Sequence, residues 1–173
     1  MNDFEIGIYK MSVLDQAKEA ENAYFLICNP SSNDELFSAI HHFIVHVSNI
    51  IKILQPLING KDQFKEFKDD RSKSILRKYS NLPIIPISDI DIRNDLEHFD
   101  ERIDFWVRES KNKIFMDKSV GADCPNKYVS GIDMMDWFRH FDFNNKVLYF
   151  CGKKYDIAAL YNYAQKVRSV LTS

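Results

Sequence analysis

Glycine is scarce in this chain. Its 173 residues hold only 5, scattered singly, so no glycine-rich loop is present to cradle a phosphate. The 3 cysteines, Cys28, Cys124 and Cys151, form no Cys-x-x-Cys pair, and an odd, dispersed set reads as reduced thiols in a cytoplasmic protein. A cationic excess is also lacking. The net charge is -2, so any contact with nucleic acid must be local rather than a property of the whole surface. Met1-Asn2-Asp3-Phe4-Glu5 shows no signal-peptide pattern. The longest apolar run, residues 43–54, is interrupted by His46, Ser48, Asn49 and Lys52 and is not expected to span a membrane. There is no repeat and no low-complexity tract. What the chain does have is aromatic bulk, 13 Phe and 8 Tyr, which argues for a packed core and a single domain over residues 1–173.

Periodicity gives the element order. Residues 1–9 are expected to be irregular or a short strand. Val13, Ala17, Ala20, Tyr24 and Ile27 recur at helical spacing over about 10–28, and Asn29-Pro30 ends that helix. Ser32-x-x-Glu35 forms a capping box for a second helix, whose stripe is Leu36, Ile40, Phe43, Val47, Ile50, Ile51 and Leu54; Pro56 and the Asn59-Gly60 turn follow. Residues 61–79 are densely charged, with a short helix expected over about 70–79. Pro83 and Pro86 mark an extended approach to a long helix from Ser88, its N-cap, to about Glu109. Beyond residue 114 come short extended pieces over 114–121 and 127–132. Trp137–Phe143 and Val147–Cys151 alternate on either side of Asn144-Asn145, which predicts a hairpin that Gly152 breaks. Asp156 caps a last helix bearing Ile157, Leu160, Tyr161, Ala164, Val167 and Leu171. The expected fold is mainly α: an up-down bundle of four to five helices, with a β-rich insertion at about 114–152 before the last one.

The long helix at 88–109 carries the chemistry. Ile92, Leu96, Phe99, Ile103 and Trp106 form its core stripe, while Asn94, His98, Glu101 and Phe105 point away. Asn94 and His98 stand one turn apart on nearly the same face, with Arg93 on its flank. A histidine can exchange a proton near neutral pH, and an arginine can hold a phosphate through two parallel hydrogen bonds. Those are the groups that phosphodiester transesterification needs. The bland alternative is a helix surface on which Arg93 pairs with Glu97, four residues on.

Arg93-Asn94-Asp95-Leu96-Glu97-His98 resembles the R-(polar)-x(3–5)-H signature of HEPN domains, small helical proteins of which many are metal-independent ribonucleases. The six residues carry the match, and the helical layout widens it to most of the chain. The resemblance implies His98 as general acid or base at the ribose 2′-hydroxyl and leaving oxygen, Arg93 on the scissile phosphate, and Asn94 orienting one or the other. It also implies a homodimer whose motif helices meet, RNA as substrate, a toxin or defence role with a cognate antitoxin, and no cofactor. One toxin branch carries a tyrosine two residues after the histidine. Asp100 stands there in this chain, so the modification that branch undergoes is not expected. Asp95, Glu97, Asp100 and Glu101 make the helix acidic, a poor RNA surface unless Arg102 and a partner compensate. The alternative function is a non-catalytic helical module that binds a nucleotide or a protein.

Other residues weigh less. His42 and His46 sit one turn apart as metal ligands would, but with no completing motif they read as structural, and no metal is expected. The stretch Trp137-Phe138-Arg139-His140-Phe141 could stack bases, although packing of the hairpin explains it more simply. Cys124 has no neighbouring base and no assigned role. The cations of residues 61–79 read as a solvated face rather than a phosphate-contacting rim.

Overall fold

Asn2 starts the first helix. In the computed structural model, which describes residues 1–58, 61–85, 91–122 and 131–173, the Asn2 Oδ1 accepts from the Glu5 amide at 2.9 Å, and the Glu5 carboxylate accepts from the Asn2 amide at 2.9 Å. This capping box satisfies first-turn amides that otherwise lack partners. Helix α1 therefore spans Asp3–Cys28, and the expectation of irregular structure over residues 1–9 is corrected. Asn29 closes it, with its amide bonded to the carbonyls of Phe25 and Leu26, and Pro30 prevents continuation.

Ser32 then caps α2 (Asn33–Leu54), its hydroxyl accepting from the Glu35 amide at 3.1 Å. The short link turns α2 back along α1. All seven residues of the expected α2 stripe are buried. They meet Val13, Ala17, Ala20 and Ala23 of α1, whose small side chains let the two helices approach closely. Each large apolar side chain so buried contributes about 1.5–3 kcal/mol.

Helix α3 (Lys65–Lys78) begins earlier than expected and covers the end of α2. Arg71 donates to the carbonyls of Lys52 and Ile53 at 2.8 and 3.2 Å, and Ser72 to that of Leu54 at 2.6 Å, so α3 supplies partners that the last turn of α2 lacks. Three of its other cations are paired: Lys68 with Asp62 at 2.5 Å, Lys73 with Asp69 at 2.6 Å, and Lys78 with Asp3 of α1 at 2.7 Å. The expected helix over 88–109 is two helices, α4 (Asp91–Glu97) and α5 (Phe99–Glu109), broken at His98. The Asn59-Gly60 turn, Pro86, the Ser88 cap and Cys124 lie outside the described residues, as does most of the 127–132 stretch.

The insertion is more than a hairpin. Strands β1 (Ser119–Gly121), β2 (Arg139–Asp142), β3 (Val147–Phe150) and β4 (Lys153–Asp156) form one sheet in that order, with β1 parallel to β2 and the other pairs antiparallel. Asp142 accepts from the amides of Asn144 and Asn145 at 3.0 Å each, which sets the β2–β3 turn. Strand β3 ends before Gly152, as expected, and the chain turns there. Cys151 and Gly152 both take positive φ, 46° and 81°, and this two-residue turn leads into β4. Asp156 ends β4 and caps α6 (Ile157–Thr172) through the Ala159 amide at 2.8 Å. In α6, Ile157, Leu160, Ala164, Val167 and Leu171 are buried as expected, joined by Tyr163. Tyr161 stands at the edge of that stripe, stacked on Tyr24 of α1 with ring centroids 3.8 Å apart. The chain is thus mainly helical, with a small four-stranded sheet ahead of the last helix.

Candidate functional site

The break at His98 is unusual for its sequence, because no proline or glycine lies between Asp91 and Glu109. The hydrogen-bond ladder still runs through it, from the His98 amide to the Asn94 carbonyl at 3.0 Å and from the Arg102 amide to the His98 carbonyl at 3.1 Å. What changes is His98 itself, at φ −102° and ψ 43°, outside the helical region. On one side of the break Asp95 is drawn into the interior. On the other, Phe99 packs edge-on against Phe138 with centroids 5.2 Å apart. Two anchors to the sheet, one each side of a single residue, account for the distortion.

Asn94 and His98 are exposed on the outer face, together with Glu97, Glu101 and Phe105. Ile92 and Trp106 are buried, and Leu96, Phe99 and Ile103 pack partly buried against the core, so the two faces separate as the periodicity predicts. His98 Nδ1 lies 3.2 Å from Glu101 Oε1. A histidine donating through Nδ1–H presents Nε2 as the basic nitrogen, and that nitrogen is then free to face a substrate. The backbone of Arg93 belongs to α4, one residue before Asn94; its side chain lies outside the described residues, as does any Arg93–Glu97 pair.

Beneath this face sits Asp95, 1% exposed. Its Oδ1 receives Arg102 Nη2 at 2.9 Å and Lys153 Nζ at 3.0 Å. Its Oδ2 receives Lys153 Nζ at 2.9 Å and the Tyr155 hydroxyl. Two cations and a phenol thus surround one carboxylate, which ties α4 to α5 and both to β4. The Cys151 thiol borders the cluster. Burial pushes its pKa up and Asp95 adds to that, while Arg102 and Lys153 oppose it. Arg102 is thereby committed inward and does not offset the exposed acids Glu97, Asp100, Glu101 and Asp104.

The far end of α5 is held by a second buried acid. Asp136 is 0% exposed and accepts from Ser110 Oγ at 2.8 Å, the Asp133 amide at 3.0 Å and Asn112 Nδ2 at 3.3 Å. Burial alone would push its carboxyl up. The hydrogen bonds outweigh burial and hold it below the usual carboxylate range.

The remaining candidates go elsewhere. Phe138 and Phe141 are 0% exposed and His140 4%, so those rings pack inside, while Trp137 and Arg139 are partly exposed. His140 Nδ1 is instead 2.8 Å from Ser119 Oγ, across the β1–β2 pair. His42 is exposed, and His46 Nδ1 meets Gln16 Oε1 at 3.0 Å; among the described residues no three His, Cys, Asp or Glu side chains converge as metal ligands would. A groove of about 590 Å³ between α1, the end of α2 and α3 is lined by Gln16, Asn49, Lys52 and Arg71 but by nothing from α4 or α5. Comparison of the chain with protein-family models, curated proteins and solved structures gives no match.

Proposed function

We propose that this protein is a HEPN-like, metal-independent endoribonuclease of the toxin or defence type, built as an up-down helical bundle with its chemistry on the α4–α5 face. The observation that carries the reading is His98, exposed one turn from Asn94 with Nδ1 held by Glu101. His98 Nε2 takes the proton from a ribose 2′-hydroxyl. The 2′-oxygen attacks the adjacent phosphorus, the bond to the 5′-oxygen breaks, and that oxygen takes up a proton from water. The products are a 2′,3′-cyclic phosphate and a 5′-hydroxyl. Arg93 is assigned to the phosphate by the resemblance, where it would offset the charge that builds in the transition state. Asn94 is assigned by the resemblance to orient the phosphate or His98 through its amide.

One observation favours the second reading, a non-catalytic module that binds a nucleotide or a protein. With Arg102 bound to Asp95, the exposed surface around His98 is dominated by acids, which repel a polyanion. RNA cleavage in EDTA by the wild-type chain and by His98→Ala separates the two. On the ribonuclease reading the variant loses about 10²–10⁴-fold in rate with its circular dichroism unchanged. Several RNAs left intact by the folded wild type would leave the binding module.

A further inference from the structure

The outer face of α1 carries an apolar pattern that the fold does not use. Phe4, Ile8 and Met11 are 78%, 45% and 68% exposed, and Phe25 near the other end is 66% exposed. Between them, on the same line, stand Asp15, Lys18 and Asn22, all exposed. From Phe4 to Phe25 the spacing alternates between four and three residues throughout. That is the heptad spacing by which two helices pair, kept for three repeats, with apolar residues at its two ends and Asp15, Lys18 and Asn22 between them. The opposite side of α1, with Val13, Ala17 and Ala20, is already buried against α2. The seam is therefore a second contact stripe on a rigid helix of 26 residues.

We propose that the partner for this seam is a second copy of the chain, paired with α1 antiparallel across a two-fold axis near Gln16 and Ala17. The charges select that arrangement. Neither Asp15 nor Lys18 has an ion pair or hydrogen bond to another side chain among the described residues. A parallel pair would set Asp15 against Asp15 and Lys18 against Lys18, which is repulsive. An antiparallel pair centred between them sets Asp15 of each copy against Lys18 of the other. The same register sets Ile8 against Phe25, so those apolar side chains cover one another, and places Met11 beside Asn22. It also matches the two alternating seam positions to each other, as antiparallel helix pairs require. The overlap from Ile8 to Phe25 is five turns, about 27 Å. A single seam of that length gives a concentration-dependent dimer in roughly the micromolar range. It uses no residue of α4 or α5, leaves His98 open in each copy, and does not depend on the ribonuclease reading.

Sedimentation equilibrium on the full chain at several concentrations tests it. The wild type is expected to be dimeric at about 100 μM, well above a micromolar Kd. Asp15→Lys and Lys18→Asp each place like charges across the axis and weaken the dimer about tenfold or more. Mixed together they form a heterodimer, because every charge then meets its opposite. Ile8→Glu abolishes the dimer with helicity unchanged, and Phe105→Glu on α5 leaves it intact. A wild type that stays monomeric at this concentration overturns the proposal. So does a dimer that resists Asp15→Lys and Ile8→Glu, or one that Phe105→Glu splits.

Discussion

The carboxylate of Asp95, in the middle of the Arg93–His98 motif, lies 2.9 Å from the ammonium of Lys153 on β4. This contact joins the candidate site to the sheet. It makes the β insertion a support for the motif helices rather than a decoration. Removing the carboxylate leaves the Arg102 and Lys153 charges facing one another without compensation. Asp95→Ala is expected to cost about 3 kcal/mol, toward the lower end for a broken buried pair because Lys153 is half exposed. Urea unfolding measures it. Lys153→Met should cost less alone, and a double-mutant cycle should show coupling, since the two residues share one network.

The inward turn of Asp95 has a signal in the sequence. It stands three residues after Ile92 and four before Phe99, inside the apolar stripe, and Arg102 follows seven residues later on the same face. A carboxylate in that position is a buried polar group awaiting partners, not part of an acidic surface. The α2 stripe is plain because its seven residues all face one way and are all buried. The start of α1 is not, since Phe4, Ile8 and Met11 lie outside the buried face and blur the periodicity. Strand β4 has no periodic signal, because Lys153-Lys154-Tyr155-Asp156 carries one apolar residue. Pairing with β3 specifies it, and no local pattern reveals that. The break at His98 has no local signal either, because its cause is tertiary.

Glu101 separates orientation from electrostatics at the candidate site. If it holds the His98 ring through Nδ1–H, Glu101→Gln keeps an acceptor of the same shape and loses only the charge, whereas Glu101→Ala loses both. On the ribonuclease reading the expected order of cleavage rates is wild type, then Glu101→Gln, then Glu101→Ala, with the last down by about tenfold to a hundredfold. Equal rates for all three would mean that the 3.2 Å contact does not prepare His98 for catalysis.

Asp136 gives the fold an acid-sensitive joint. Its folded-state carboxyl is held below the usual range, so the unfolded chain binds the proton more readily. The stabilisation is fully present above the ordinary aspartate value, near 3.9, and is lost as pH falls through the lower folded value. Asp136→Asn is expected to lower stability at neutral pH by about 1–3 kcal/mol, because Ser110 and the Asp133 amide lose their charged acceptor. Its stability should also fall less steeply than that of the wild type as pH drops below about 4. Thermal unfolding across that range reads both effects.

Gly152 tests whether β4 is held by its turn or by its partners. At φ +81° a side chain is strained, yet a Cβ built there meets nothing within 4 Å. The cost of Gly152→Ala is therefore conformational alone, about 1 kcal/mol, with no clash added. Gly152→Asn should recover part of it, since asparagine tolerates the left-handed region better. If the turn sets the register of β4, the strain is felt at Lys153 and passes to Asp95 through their contact. Amide exchange at β4 and in α4 would then rise together in Gly152→Ala. Faster exchange in β4 alone would show that Arg102 on α5 suffices to hold Asp95.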